Sequence, residues 1–173
     1  MNYYNLLITV FCGMMVTPIL NGIGMLNGLE GIDYYAEVHQ TKWNSVVHTI
    51  GMPFTFYGIS CWFPALFRLT NRKKNRMQLF CWSLFAIHYM RIDFFRGIFC
   101  ILFYIYPTFL AYNRTKYTIT DKNLFIHGFL VATTSLIFQE YVGHYLGGDE
   151  PSRLEGVPNA IAYATYYSTY HLF

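Results

Sequence analysis

From Val46 to Phe67 the chain runs VVHTIGMPFTFYGISCWFPALF, 22 residues without an Asp, Glu, Lys or Arg. That length is close to the ~20 residues a helix needs to cross a hydrocarbon core. Few architectures tolerate such a run. The whole chain repeats the message, with 54% hydrophobic and 20% aromatic residues but only 12% charged, about half the charged share of a typical soluble domain. At 173 residues it is long enough for one domain and too short for two separate cores. The expected fold class is all-α, a polytopic membrane bundle of four to five apolar helices, some short or re-entrant.

Other spans follow along the chain. Residues 77–90 and 97–112 are apolar and separated by RIDFFR. Each is short for a ~30 Å core, which predicts a tilted hairpin or deeply inserted, incomplete crossings. Residues 123–146 form another candidate and 157–173 a weaker one. The apolar N-terminal segment, residues 1–27, lacks a basic flank and a small-x-small cleavage site, and Pro18, Gly22 and Gly24 interrupt it. Anchor, signal peptide and peripheral helix all stay open for it, and residues 28–173 form the single embedded domain.

Charge gives an orientation. Arg68, Arg72, Lys73, Lys74 and Arg76 crowd one loop, and the loop at 113–122 is also net basic. The segments 28–42 and 147–156, at the opposite end of the alternating helices, are net acidic. Basic loops on one side predict a cytosolic face against anionic lipid. No nucleic-acid partner is expected, because apolar segments flank the basic run and no phosphate track continues it. Cys12, Cys61, Cys81 and Cys100 sit inside apolar runs without metal or redox spacing, as small buried hydrophobes do.

The alternation has a second consequence. His39, His48, His88 and His144 all fall at the acidic end of the bundle, while His127 and His171 fall toward the basic end. Ionisable groups at membrane depth are costly and tend to be functional. Thr41 is the predicted N-cap of the helix that follows, which sets Asn44 and His48 one turn apart on one face. His39 precedes the cap and can fold back. Glu140 and His144 are again four apart, and Gly143 leaves room beside the imidazole for close approach. Three imidazoles with Asn44 and Glu140 around them suit a mononuclear iron(II) or zinc site with open positions. The competing reading is that each histidine is simply a hydrogen-bonding residue at an interface.

The pattern His39-x4-Asn44-x3-His48 with Gly51-x-Pro53, then Gly143-His144 and Pro151-Ser152, resembles the 2-hydroxy fatty acid dioxygenase family: yeast endoplasmic-reticulum enzymes and their bacterial relatives. The resemblance covers roughly residues 34–165, and Tyr89 with Arg91 matches a weaker YYxR-like patch. It implies an integral membrane protein, resident in the endoplasmic reticulum, and Fe(2+) dependence. The implied reaction shortens a 2-hydroxy fatty acid by one carbon with O2, within sphingoid-base breakdown. His39, His48 and His144 would be the metal ligands, Asn44 and Glu140 would position ligands or relay protons, and Arg91 would neutralise the substrate carboxylate. Two departures stand out: Glu140 replaces a Gln common in relatives, and Gly147-Gly148 occupies positions where relatives often carry Glu. His88 and His127 match no family histidine.

Rival classes are weaker or silent on this pattern. A di-iron hydroxylase or desaturase needs about eight histidines in HxxxH and HxxHH boxes, against six here without such a box. A non-enzymatic membrane lipid-binding or adaptor protein explains the apolar spans but not the convergence of histidines. Haem held by paired histidines would show a Soret band.

Overall fold

The computed structural model describes residues 36–67, 69–151 and 168–169. Residues 1–27 and most of the weak segment 157–173 lie outside the described residues. Within them the chain is helical and has no strand. Helix α1 spans Lys42–Ala65, α2 Asn71–Ile92, α3 Phe94–Thr115 and α4 Asp121–Phe138. Two wide π-helical turns interrupt this regularity: Ile101–Ile105 inside α3, and Gln139–Tyr145 extending α4.

Helix α1 is the hub. Its start is fixed by Thr41, whose hydroxyl accepts the amide of Asn44, as the sequence predicts. It packs along α4 for most of its length, with α3 and the second π turn on its other sides. The α1–α4 seam is made of small residues. A Cβ added at Gly58 would lie 2.5 Å from the Ala132 nitrogen, and one at Gly128 would lie 2.5 Å from the Gly58 carbonyl oxygen. Backbones can come this close only where side chains are absent. A hydroxyl–amide ladder runs up the same seam: Gln139 Nε2 donates to Thr55 Oγ1 (2.9 Å), Thr55 donates to Ser135 Oγ (3.0 Å), and Ser135 donates to the Gly51 carbonyl (2.7 Å). Every rung is buried, so each donor has its acceptor where water is excluded.

On the α2–α3 side the core is aromatic. Phe56 is fully buried, with Trp82 at 4.9 Å and Phe85 at 6.1 Å in edge-on contact, the geometry aromatic quadrupoles prefer. Cys61, Cys81 and Cys100 are buried free thiols, as their apolar context predicts.

The outward surface is apolar as well. Trp43, Phe54, Phe80, Phe103, Leu130 and Ile137 are each more than half exposed, so the bundle presents large apolar side chains on its outer faces while the α1–α4 seam holds small and hydroxylated ones.

The span expected over 46–67 is not the most membrane-like helix. Among the described residues one helix is long and apolar enough to cross a membrane, α3 over Phe94–Thr115. Helix α1 is uncharged, but Gly51, Pro53, Thr55, Gly58, Ser60 and Pro64 dilute its hydropathy and serve close packing instead. The segments expected to be short are also longer than predicted. Helices α2 and α3 have 22 residues each, about 33 Å at 1.5 Å per residue, because charged and polar residues at both ends continue the helical hydrogen bonding.

Candidate metal centre

His39, His48 and His144 converge at the start of α1. Their ring centroids are 4.5 to 5.3 Å apart, the planes nearly perpendicular, and one ligand atom from each lies within 4.8 Å of the others. All three are buried. His39 does fold back over the cap, as the nine-residue spacing requires: its Nε2 lies 3.3 Å from Nε2 of His48. An ion about 2.1 Å from both nitrogens would see them at roughly 100°. Tetrahedral nitrogens at that distance stand about 3.4 Å apart, so atoms as far apart as 4.8 Å would have to draw together by about an ångström or more for one ion to hold all three.

Backbone carbonyls choose the tautomers. His48 Nδ1 lies 3.1 Å from the Asn44 carbonyl oxygen, and His144 Nδ1 lies 2.7 Å from that of Glu150. A carbonyl only accepts, so each Nδ1 carries the proton and each Nε2 the lone pair. This is how metal-binding imidazoles are commonly oriented.

The surroundings explain the local sequence. Asn44 is fully buried between the two halves of the site. Its Nδ2 donates to Asp149 Oδ2 at 2.8 Å and lies 3.4 Å from His144 Nδ1, while its Oδ1 has no hydrogen-bond partner among the described residues. Gly143 is the close approach the sequence suggests. A Cβ there would stand 2.9 Å from Asn44 Oδ1 and 3.4 Å from the His48 ring. Glu140 Oε1 lies 3.9 Å from His144 Nε2 and its side chain is 44% exposed, so a solvated carboxylate borders the atom best placed to bind an ion. Both residues lie on the π turn, a feature frequent at functional sites.

Sequence reasoning missed Asp149 as a site residue. Its carboxylate accepts from the Thr41 amide (3.2 Å), the Thr41 hydroxyl (3.0 Å) and Asn44, tying the chain after the π turn to the cap of α1. The departure Gly147-Gly148 makes this possible. A side chain at 147 would strike the Gly143 carbonyl and come 2.8 Å from Trp43, and Gly148 adopts φ +80°, a left-handed conformation that favours glycine. The glycine turn carries Asp149 back to Thr41. The only signal in the sequence was a Gly-Gly-Asp turn, and nothing local says where its acid points. Gln139 was also missed; its side chain fills the space left by the absent Cβ of Gly51.

The remaining predicted residues lie elsewhere. Arg91 is exposed in the last turn of α2, outside the histidine cluster. His88 is buried on α2 beside Tyr89, ring centroids 5.5 Å apart, and is not among the three clustered histidines. His127 lies toward the opposite end, its Nε2 3.1 Å from the Tyr57 hydroxyl.

No family model matches the chain, and no curated protein or solved structure proves similar to it.

Proposed function

We propose that the protein is a membrane-embedded, non-haem iron(II) dioxygenase that shortens 2-hydroxy fatty acids by one carbon. The observation that carries this reading is the convergence of His39, His48 and His144, with the lone pairs of two of them set by backbone carbonyls. Neutral nitrogen ligands beside a carboxylate suit iron(II), and the motif resemblance supplies the substrate class. Three buried histidines alone would equally suit zinc.

One O2 converts R–CH(OH)–COOH to R–COOH, CO2 and water, a balance that needs no added reductant. When bound, iron(II) would supply open coordination positions for both reactants. The protein's own groups would do the rest. The Asp149 carboxylate orients the Asn44 amide, which stands beside His144. Glu140, solvated and next to His144 Nε2, would accept and return a proton. The alkyl chain would lie against the apolar outer surface, where burial requires no polar contact.

Membrane residence is part of the same proposal. Helix α3 has the length and composition to cross, and a helix that is apolar all round has no favourable place in water. Exposed Trp43, Phe54, Phe103 and Leu130 would face lipid, in the endoplasmic reticulum on the strength of the resemblance. The test is metal analysis of the purified protein together with oxygen uptake on 2-hydroxy acids of graded length. Iron-dependent uptake, one CO2 per O2, and its loss in His48→Ala and His144→Ala are expected. Uptake that ignores iron or these substitutions would remove the enzyme reading, and a Soret band would replace it with haem.

A further inference from the structure

The opposite end of the bundle holds a second charged cluster that the histidine site does not use. The start of α2, the end of α3 and the start of α4 meet there. Lys74 Nζ donates to Asp121 Oδ2 at 2.6 Å, with the lysine side chain 1% exposed and the aspartate 56% exposed. Lys116 Nζ donates to Asn113 Oδ1 at 2.6 Å and to Asn75 Oδ1, and stands over the rings of Tyr112 and Tyr117.

Two observations show positive charge without its complement, and a third shows a buried hydroxyl without a partner among the described residues. First, Lys116 is 5% exposed, and its hydrogen-bond acceptors among the described residues are amide oxygens, which carry no charge. A buried ammonium is costly unless an anion pairs with it. Burial, and after it the Lys74 ammonium, push the Lys116 pKa below the ordinary lysine range. Second, the first turns of α2 read Asn71-Arg72-Lys73-Lys74-Asn75-Arg76, with no acidic residue in the first turn and no side-chain cap from Thr70. Cations at a helix N-terminus oppose the macrodipole, so this helix start is arranged against its own electrostatics. Third, the Tyr112 hydroxyl is fully buried and has no hydrogen-bond partner among the described residues. Of the charged residues from 71 to 76 and 113 to 122, only Asp121 is acidic, and Lys74 already engages it.

We propose that this end is a binding site for a phosphate-type anion, seated between Lys116 and the uncapped start of α2, with Arg72 and Lys73 at its rim. The shared chemistry is a phosphate group, carried either by a phospholipid headgroup or free in solution. Helix N-termini and lysine clusters both favour such an anion. Completion of the charge balance by an outside anion accounts for a helix start without acids and an ammonium without a carboxylate. The site is independent of the histidine centre and of its chemistry.

The test uses the full chain in nanodiscs of neutral phosphatidylcholine, with thermal unfolding as the readout. Phosphatidic acid in the disc, or inorganic phosphate in the buffer, is expected to raise the unfolding temperature of the wild type. Lys116→Gln should weaken the apparent anion affinity at least about tenfold, whereas Lys42→Gln, an equal loss of charge at the other end, should leave it unchanged. Without either anion, Lys116→Gln is expected to melt no lower than the wild type, because it removes a buried charge. Stabilisation by phosphatidic acid alone assigns the headgroup as the source; stabilisation by inorganic phosphate assigns the free anion as sufficient. Should Lys116→Gln fail to fold, Arg72→Gln with Lys73→Gln, both exposed, is expected to weaken the same response about tenfold. The proposal is overturned if neither anion stabilises the wild type, or if the substitutions at this end and Lys42→Gln reduce the response equally.

Discussion

Nε2 of His39 and Nε2 of His48 stand 3.3 Å apart in a buried pocket, and two lone pairs facing at that distance repel unless a proton or a cation lies between them. With His144 beside them the cluster has three nitrogens for one ion. Replacing any one with alanine is expected to weaken divalent-metal affinity by at least about a hundredfold, a larger loss than the 10–100-fold typical of residues that only orient ligands. Chelator competition with cobalt(II) or iron(II) on the purified protein measures this directly.

Asp149 is such an orienting residue. Asp149→Ala removes the acceptor for the Thr41 amide, the Thr41 hydroxyl and the Asn44 amide at once. Metal affinity is expected to fall about 10–100-fold and stability by about 1–2 kcal/mol through the cap of α1. Unchanged metal binding with normal unfolding would show that the glycine turn alone holds His144 in place.

At Gly143 two effects compete. Alanine in a helix normally gains up to about 1 kcal/mol over glycine, but here the new methyl would meet Asn44 Oδ1 at 2.9 Å. Overpacking of a filled site costs about 1–3 kcal/mol, so Gly143→Ala is expected to destabilise on balance and to displace the His48 ring. Denaturant unfolding gives the sign, and metal titration gives the displacement.

Glu140→Gln keeps the side-chain volume and removes the charge 3.9 Å from His144 Nε2. If the carboxylate moves protons, turnover of a 2-hydroxy acid should drop about a hundredfold while bound iron stays near its wild-type level. Parallel loss of iron and turnover would instead make Glu140 a ligand.

The α1–α4 seam offers a prediction free of any metal. Gly58→Ala and Gly128→Ala each place a methyl about 2.5 Å from backbone atoms of the facing helix, which cannot rotate aside. Each is expected to cost 2 kcal/mol or more, at about the upper end of overpacking effects, measured by thermal unfolding in detergent.

Much of this arrangement follows from local patterns. Thr41 announces its cap, Asn44 and His48 share a face by helical spacing, and Gly143 marks a close approach, because each of these depends on residues within one turn. The convergence of His39, His48 and His144 followed from alternating helix direction, which needs only the order of apolar segments. His88 shared that predicted level but not the cluster, since level along the bundle axis says nothing about rotation around it. The π turn at Gln139–Tyr145 and the return of Asp149 to Thr41 were invisible for the same reason: both depend on long-range packing, and the residues involved are 108 positions apart. The helix most apolar by composition proved to be α3 rather than α1, because the uncharged run of α1 contains the small and hydroxylated residues that its seam with α4 uses.

The ladder from Gln139 through Thr55 and Ser135 to Gly51 lies below the histidines and contains none of them. Its hydrogen bonds fix how far α4 can slide along α1, so the height of His144 relative to His48 is set before any ion arrives. A zinc finger collapses when stripped of its metal; here the vessel is cast separately from its contents. Evolution could exchange one metal for another, or abandon metal altogether, and still inherit the same bundle.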